Sequence, residues 1–181
     1  MGALRSAVLV PLFEEEGRAW VVLTRRAQHL RSHKGEVAFP GGRQDDGESL
    51  MDAALREARE EIALDTQLVE IVGELDHLAT VSSNSSIVPY VGVLPSRPIR
   101  LEPNPAEVEA ILMVTLEELL DDEVFRTELW QWQPGAPVGA EAEGTERPIH
   151  FFDLYGDTIW GATARMLVNL LSIVTGVPHP G

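Results

Sequence analysis

Two apolar, β-branched runs, Ser6–Phe13 and Ala19–Arg25, flank Glu14-Glu15-Glu16-Gly17, a pattern that predicts a β-hairpin closed by a polar turn. The polar stretch Arg26–Glu36 gives way to a short strand-like Val37-Ala38-Phe39, which Pro40-Gly41-Gly42 stops. Arg43–Glu48 reads as a loop, and Ser49 with Asp52 three residues on reads as a helix N-cap. From there Met51, Ala54, Leu55, Ala58 and Ile62 recur at helical spacing and define a core face. Leu68–Ser82 and Ile87–Leu94 read as strands around the turn-forming Ser83-Asn84-Ser85-Ser86. A proline-rich connection, Pro95–Pro105, leads to a strand near Glu109–Val114 and a short helix at Leu116–Asp121. Arg126–Gln133 and Arg147–Leu154 form the arms of a second hairpin around the Gly/Ala/Glu-rich loop Pro134–Glu146. Trp160–Thr175 is an amphipathic helix ended by Gly176 and Pro178. Strands interleaved with two substantial helices predict an α/β (α+β) sandwich with a mixed sheet, in one domain over residues 1–181.

Composition narrows the partners. With 181 residues, 44% apolar and 24% charged, the chain is ordinary for a soluble globular domain. It shows no long apolar run and no basic-then-apolar leader, so membrane spans and export are not expected. Zero cysteines exclude disulfides, thiolate metal sites and a cysteine nucleophile, and fit a reducing cytoplasm. A formal charge of −15 repels nucleic-acid backbone, which argues against a nucleic-acid partner. It repels a small polyphosphate equally, so an anionic substrate needs bound cations and local basic residues. A homodimer is compatible with the sequence.

The candidate chemistry sits on the first helix. Glu57, Glu60 and Glu61 stand at i, i+3 and i+4, which crowds three carboxylates on one face. At about 100° per residue that face lies roughly a third of a turn from the core face, so it can look into a cleft. Hard oxygen ligands suit Mg²⁺ or Mn²⁺, ions that usually serve phosphate chemistry. An acidic helix face taken alone is more often merely solvated. The neighbouring residues change that weighting. Gly42, five residues, Glu48, seven residues, Arg56-Glu57, and then Glu60-Glu61 resemble the Nudix box, Gly-x5-Glu-x7-Arg-Glu-U-x-Glu-Glu-x-Gly-U with U bulky and aliphatic. Ala58 and Ala63 depart from it, Ala63 standing where glycine usually closes the helix. A left-handed backbone at Ala63 would cost on the order of 1 kcal/mol.

The resemblance implies a Nudix-type α/β/α sandwich and a helix whose carboxylates bind Mg²⁺ or Mn²⁺ on a pyrophosphate that water attacks. Glu57 and Glu61 are the preferred metal ligands, with Glu60 a third ligand or general base. Arg56 pairs with nearby carboxylates and fixes their rotamers, and Glu48 is a supporting partner. Backbone at Gly41 and Gly42 comes close enough to share in binding.

A second pattern lies upstream. Residues 22–42, VLTRRAQHLRSHKGEVAFPGG, resemble the signature of Nudix coenzyme A pyrophosphatases, with Leu23, Thr24, Arg26, Ala27, Arg31, Gly35 and Phe39-Pro40-Gly41-Gly42 in register. That resemblance implies cleavage of coenzyme A to 4′-phosphopantetheine and adenosine 3′,5′-bisphosphate, with Arg26, Arg31 and His33 contacting substrate phosphates. Two rivals stand beside it: another nucleoside diphosphate derivative or a nucleotide (ADP-ribose, NADH, a dNTP), or a Nudix-fold sensor that binds without hydrolysis. Glu102, Glu107 and Glu109 border a strand, and one of them can supply a further metal ligand or base. Trp130, Trp132 and Trp160 read as packing residues.

Overall fold

The computed structural model describes residues 4–80, 85–98, 100–132 and 145–177. Strands β1 (Leu4–Glu15) and β2 (Arg18–Arg26) form the expected hairpin. Its turn places Glu16 and Gly17 at φ 54° and 75°, the left-handed pair that a tight hairpin needs. There follow β3 (Val37–Ala38), β4 (Gly41–Arg43), helix α1 (Leu50–Ile62), β5 (Glu70–Glu74), β6 (Leu78–Thr80), β7 (Ser85–Val93) and β8 (Val108–Thr115). The remainder is the short helix α2 (Leu116–Leu119), β9 (Phe125–Trp132), β10 (Thr145–Leu154), β11 (Asp157–Ile159) and α3 (Gly161–Thr175).

The main sheet runs β3-β2-β1-β7-β5, with β4 on β1, β6 on β7 and β8 on β2. Among the described residues β1–β7 pairs in parallel and the other pairings are antiparallel, so the sheet is mixed. Alternation along the strands separates two cores. Ala7, Leu9, Phe13 and Val22 pack with Leu50, Ala54, Ala58 and Ile62 of α1. Val10, Val21 and Leu23 face the other way, onto Ala164, Leu167, Leu170 and Leu171 of α3. The expected α/β/α sandwich is therefore present. A smaller sheet, β11-β10-β9, joins the α3 side through Phe152, Leu154 and Ile159. Arg25 ties it to the main sheet by donating from Nε to Asp157 Oδ1 at 2.9 Å.

Several expectations need correction. Pro40-Gly41-Gly42 does not end the strand region: Gly41–Arg43 pairs with β1 instead, because a residue without Cβ lets the backbones approach. A Cβ on Gly41 would lie 2.4 Å from the Ala7 carbonyl oxygen. The long strand expected from Leu68 is a 3₁₀ turn followed by β5 and β6. Met51 is 39% exposed, and Leu50 takes its place in the core. Trp160, expected to pack, is 45% exposed at the head of α3 and lies outside the core. Strand β11, behind a left-handed Tyr155-Gly156 turn, was not anticipated. Ser82, Ser83 and Asn84, most of the 134–146 loop, and Pro178 lie outside the described residues. No helix among the described residues is long and apolar enough to cross a membrane.

Candidate metal and phosphate site

Local sequence chemistry fixes where α1 begins and ends. Ser49 Oγ accepts from the Asp52 N–H at 3.0 Å, and the helix closes on Ala63 at φ 53°. Arg56 then fastens the preceding loop to the helix. Its Nε donates to Glu48 Oε1 at 2.9 Å, one terminal nitrogen to Glu48 Oε2 at 3.2 Å and to the Arg43 carbonyl at 3.0 Å. The other terminal nitrogen donates to Glu57 Oε1 at 3.0 Å and Glu60 Oε2 at 3.1 Å. One planar fork thus orients three carboxylates. It also holds the Glu48 carboxyl below the usual range.

Of the three helix glutamates, Glu61 is 2% exposed. Its Oε2 accepts from the Gly41 N–H at 3.1 Å, and Oε1 lies 3.7 Å from Arg26. Burial pushes its carboxyl up to about 7 against those two favourable contacts, and the Glu57 and Glu107 charges add to the rise. Burial also raises Glu57, opposed by Arg56. Oxygens of Glu57, Glu61 and Glu107 all lie within 4.8 Å of one another. Glu60 is not in that set but lies beside it: its Oε2 shares with Glu57 Oε1 the same Arg56 nitrogen, and its side chain is 52% exposed. Gly42 provides the space: a Cβ there would meet Glu57 Oε1 at 2.3 Å. Three clustered carboxylates, one deeply buried and short of donors, form an oxygen-only set that fits a hard divalent cation such as Mg²⁺ or Mn²⁺.

The structure selects Glu107 from the three glutamates left open by the sequence. Glu109 lies 3.8 Å from Arg25 instead. The Glu102 N–H binds the Ile62 carbonyl, with its side chain exposed. Arg25 and Arg26 diverge because successive strand residues face opposite sides: Arg25 meets Asp157, Arg26 the carboxylates of α1. The Nε of Arg26 is buried without a hydrogen-bond partner. His33 is exposed, held at φ 55°, with Nδ1 2.8 Å from Glu36 Oε2. Arg31 is exposed and has no partner among the described residues.

A fold with this helix and this carboxylate group defines a class. The NUDIX domain profile matches residues 3–134. The chain belongs to the Nudix family. It is 39% identical to Nudix hydrolase 22, chloroplastic, of Arabidopsis thaliana, over 94% of its own length and 55% of that protein's. With Nudix hydrolase NudL of Yersinia pestis it shares 34% identity, over 94% of this chain and 80% of the other. The chain spans little more than half the length of two Arabidopsis relatives, 55% and 58%. Among solved structures, the M. smegmatis Nudix hydrolase RenU aligns at TM-score 0.56 and 22% identity, over 66% of this chain and 75% of that one. A MutT/nudix family protein from Enterococcus faecalis aligns at TM-score 0.57 and 15% identity, over 98% of this chain and 62% of that one. These structural likenesses establish the fold.

Proposed function

We propose that the chain is a Mg²⁺- or Mn²⁺-dependent pyrophosphohydrolase whose substrate is coenzyme A or a derivative. The observation that carries the catalytic reading is the convergence of Glu57, Glu61 and Glu107 beside Arg26. Support for coenzyme A comes from the upstream signature, which runs from Val22 to Gly42 and opens into the basic stretch Arg26–Lys34. In this reading Glu57, Glu61 and Glu107 would hold the cation, which when bound would supply charge neutralisation for phosphate oxygens and a more acidic water. Arg56 keeps Glu57 and Glu60 in fixed orientation while anchoring the Glu48 loop. Glu60 is the most exposed of the three helix glutamates, and with Oε2 held by Arg56 its Oε1 is the atom that accepts a proton from attacking water. Arg26 and Arg31 receive the anionic substrate in an otherwise acidic chain, and His33 serves Glu36 rather than substrate. We place this small-molecule role in the cytoplasm because the cysteine-free composition suits a reducing compartment; two relatives are named for the chloroplast and the mitochondrion.

The test is product analysis with coenzyme A in ¹⁸O-labelled water, run beside ADP-ribose and dNTPs. Label on 4′-phosphopantetheine or on adenosine 3′,5′-bisphosphate identifies the attacked phosphorus. Faster turnover of a substrate without pantetheine rejects coenzyme A. Stoichiometric binding without hydrolysis in Mn²⁺ rejects the enzyme.

A further inference from the structure

Glu107 reaches the helix carboxylates from a different part of the chain, so something must hold it there. The segment after β7 runs past the C-terminal end of α1, whose last carbonyls have no partner within the helix. Two of them are taken by this segment: the Glu102 N–H binds the Ile62 carbonyl at 3.1 Å, and the Asn104 N–H binds the Glu61 carbonyl at 2.8 Å. Asn104 then organises the chain beyond it. Its side-chain Oδ1 accepts from the Ala106 N–H at 3.1 Å, and its carbonyl accepts from the Glu107 and Val108 N–H groups at 3.0 and 2.8 Å. Pro105 at the next position favours the same turn, since its fixed φ suits the first corner and asparagine suits the residue before it. The Glu107 carbonyl in turn accepts from the Ala27 N–H at 2.9 Å, immediately after Arg26.

We propose that Asn104 is a positioning residue of the cation site, joining the backbone of Glu61 to a turn that delivers the Glu107 carboxylate. One residue therefore sets the spacing between two of the three oxygens that converge. Its main-chain bond to Glu61 survives substitution, whereas the bond from Ala106 N–H to Oδ1 does not. Asn104→Ala thus frees the turn while leaving its attachment to the helix. Serine can restore a weaker side-chain acceptor to the same N–H.

The inference rests on the proposed role of Glu57, Glu61 and Glu107, and Mn²⁺ titration followed by electron paramagnetic resonance, without substrate, separates the two. Asn104→Ala should weaken Mn²⁺ about tenfold, the effect usual for residues that orient a metal ligand. Asn104→Ser should recover most of that loss, with circular dichroism of both variants matching the unaltered chain. In a Glu107→Gln background, Asn104→Ala should add almost nothing, because a residue acting through Glu107 has nothing left to position. A full additional loss in that background, or affinity within about twofold of the unaltered chain, overturns the positioning role while leaving the cation site intact. Mn²⁺ affinity unaffected by Glu61→Gln itself overturns the cation site and the positioning role with it.

Discussion

Replacing Glu61 by Gln isolates the electrostatic cost of a buried carboxylate. In the folded chain this group titrates at about 7, against 4.5 for an unperturbed glutamate, mainly because burial strips its water. That gap corresponds to about 3 kcal/mol between the two protonation states. Between these values the folded chain keeps a proton that the unfolded chain has released. Without metal, the stabilising contribution is therefore complete below 4.5 and is lost as pH rises through about 7. Glutamine stays neutral throughout and retains an oxygen for the Gly41 N–H. In a chelator, Glu61→Gln should leave thermal unfolding almost unchanged near pH ~4.5 and stabilise the chain by up to ~3 kcal/mol near pH ~8. At about 2–4 °C per kcal/mol for a domain of this size, circular dichroism should show Tm higher by roughly 6–12 °C at the upper pH. Excess Mn²⁺ should reverse the ordering, stabilising the unaltered chain and not the variant. A variant no more stable than the unaltered chain near pH ~8 refutes the reasoning, since Arg26 would then already compensate the charge.

Other substitutions test separate parts of the account. Ala63→Gly should raise stability by about 1 kcal/mol, seen as a Tm gain, because φ at this helix end is 53°; a loss of stability contradicts the left-handed cap. Gly42→Ala forces a Cβ against Glu57 and should lower kcat on the order of a hundredfold with unchanged circular dichroism; activity within about twofold rejects the role of that space. Arg56→Lys keeps the charge but loses the fork that orients Glu48, Glu57 and Glu60, and should weaken Mn²⁺ about tenfold in the same titration. Arg31→Ala should raise KM for coenzyme A more than for dephospho-coenzyme A; equal effects remove Arg31 from the 3′-phosphate.

Local patterns carried the hairpin, the Ser49 cap and the helix glutamates, because period and spacing are properties of adjacent residues. They misplaced Met51, since the apolar stripe of a helix does not state which edge of it a sheet will cover. Strand β4 was hidden because two glycines have no side-chain alternation to read; their signal is the close approach of Gly41 to Ala7 and of Gly42 to Glu57. The divergence of Arg25 and Arg26 was within reach of strand alternation, once α1 is placed on one face of β2. Glu107 stood among three candidates bordering a strand, because its arrival at α1 depends on the long-range bond from the Asn104 N–H to the Glu61 carbonyl. Asn104-Pro105 was the available clue. The upstream signature also looks different in the fold. Leu23 and Phe39 are core residues, Thr24 Oγ1 donates to the Ala38 carbonyl at 3.1 Å, and Gly35 at φ 66° makes room for Gln28. Much of that pattern builds the scaffold, so the proposed contact with substrate phosphates falls to its arginines, Arg26 beside Glu61 and the exposed Arg31.

Anomalous diffraction from crystals of the chain soaked in Mn²⁺ tests the central claim most directly. A manganese peak bounded by carboxylate oxygens of Glu57, Glu61 and Glu107 is the expected result. Soaked crystals with no peak there, and with those carboxylates still engaged only by Arg56, Arg26 and the Gly41 N–H, would contradict it.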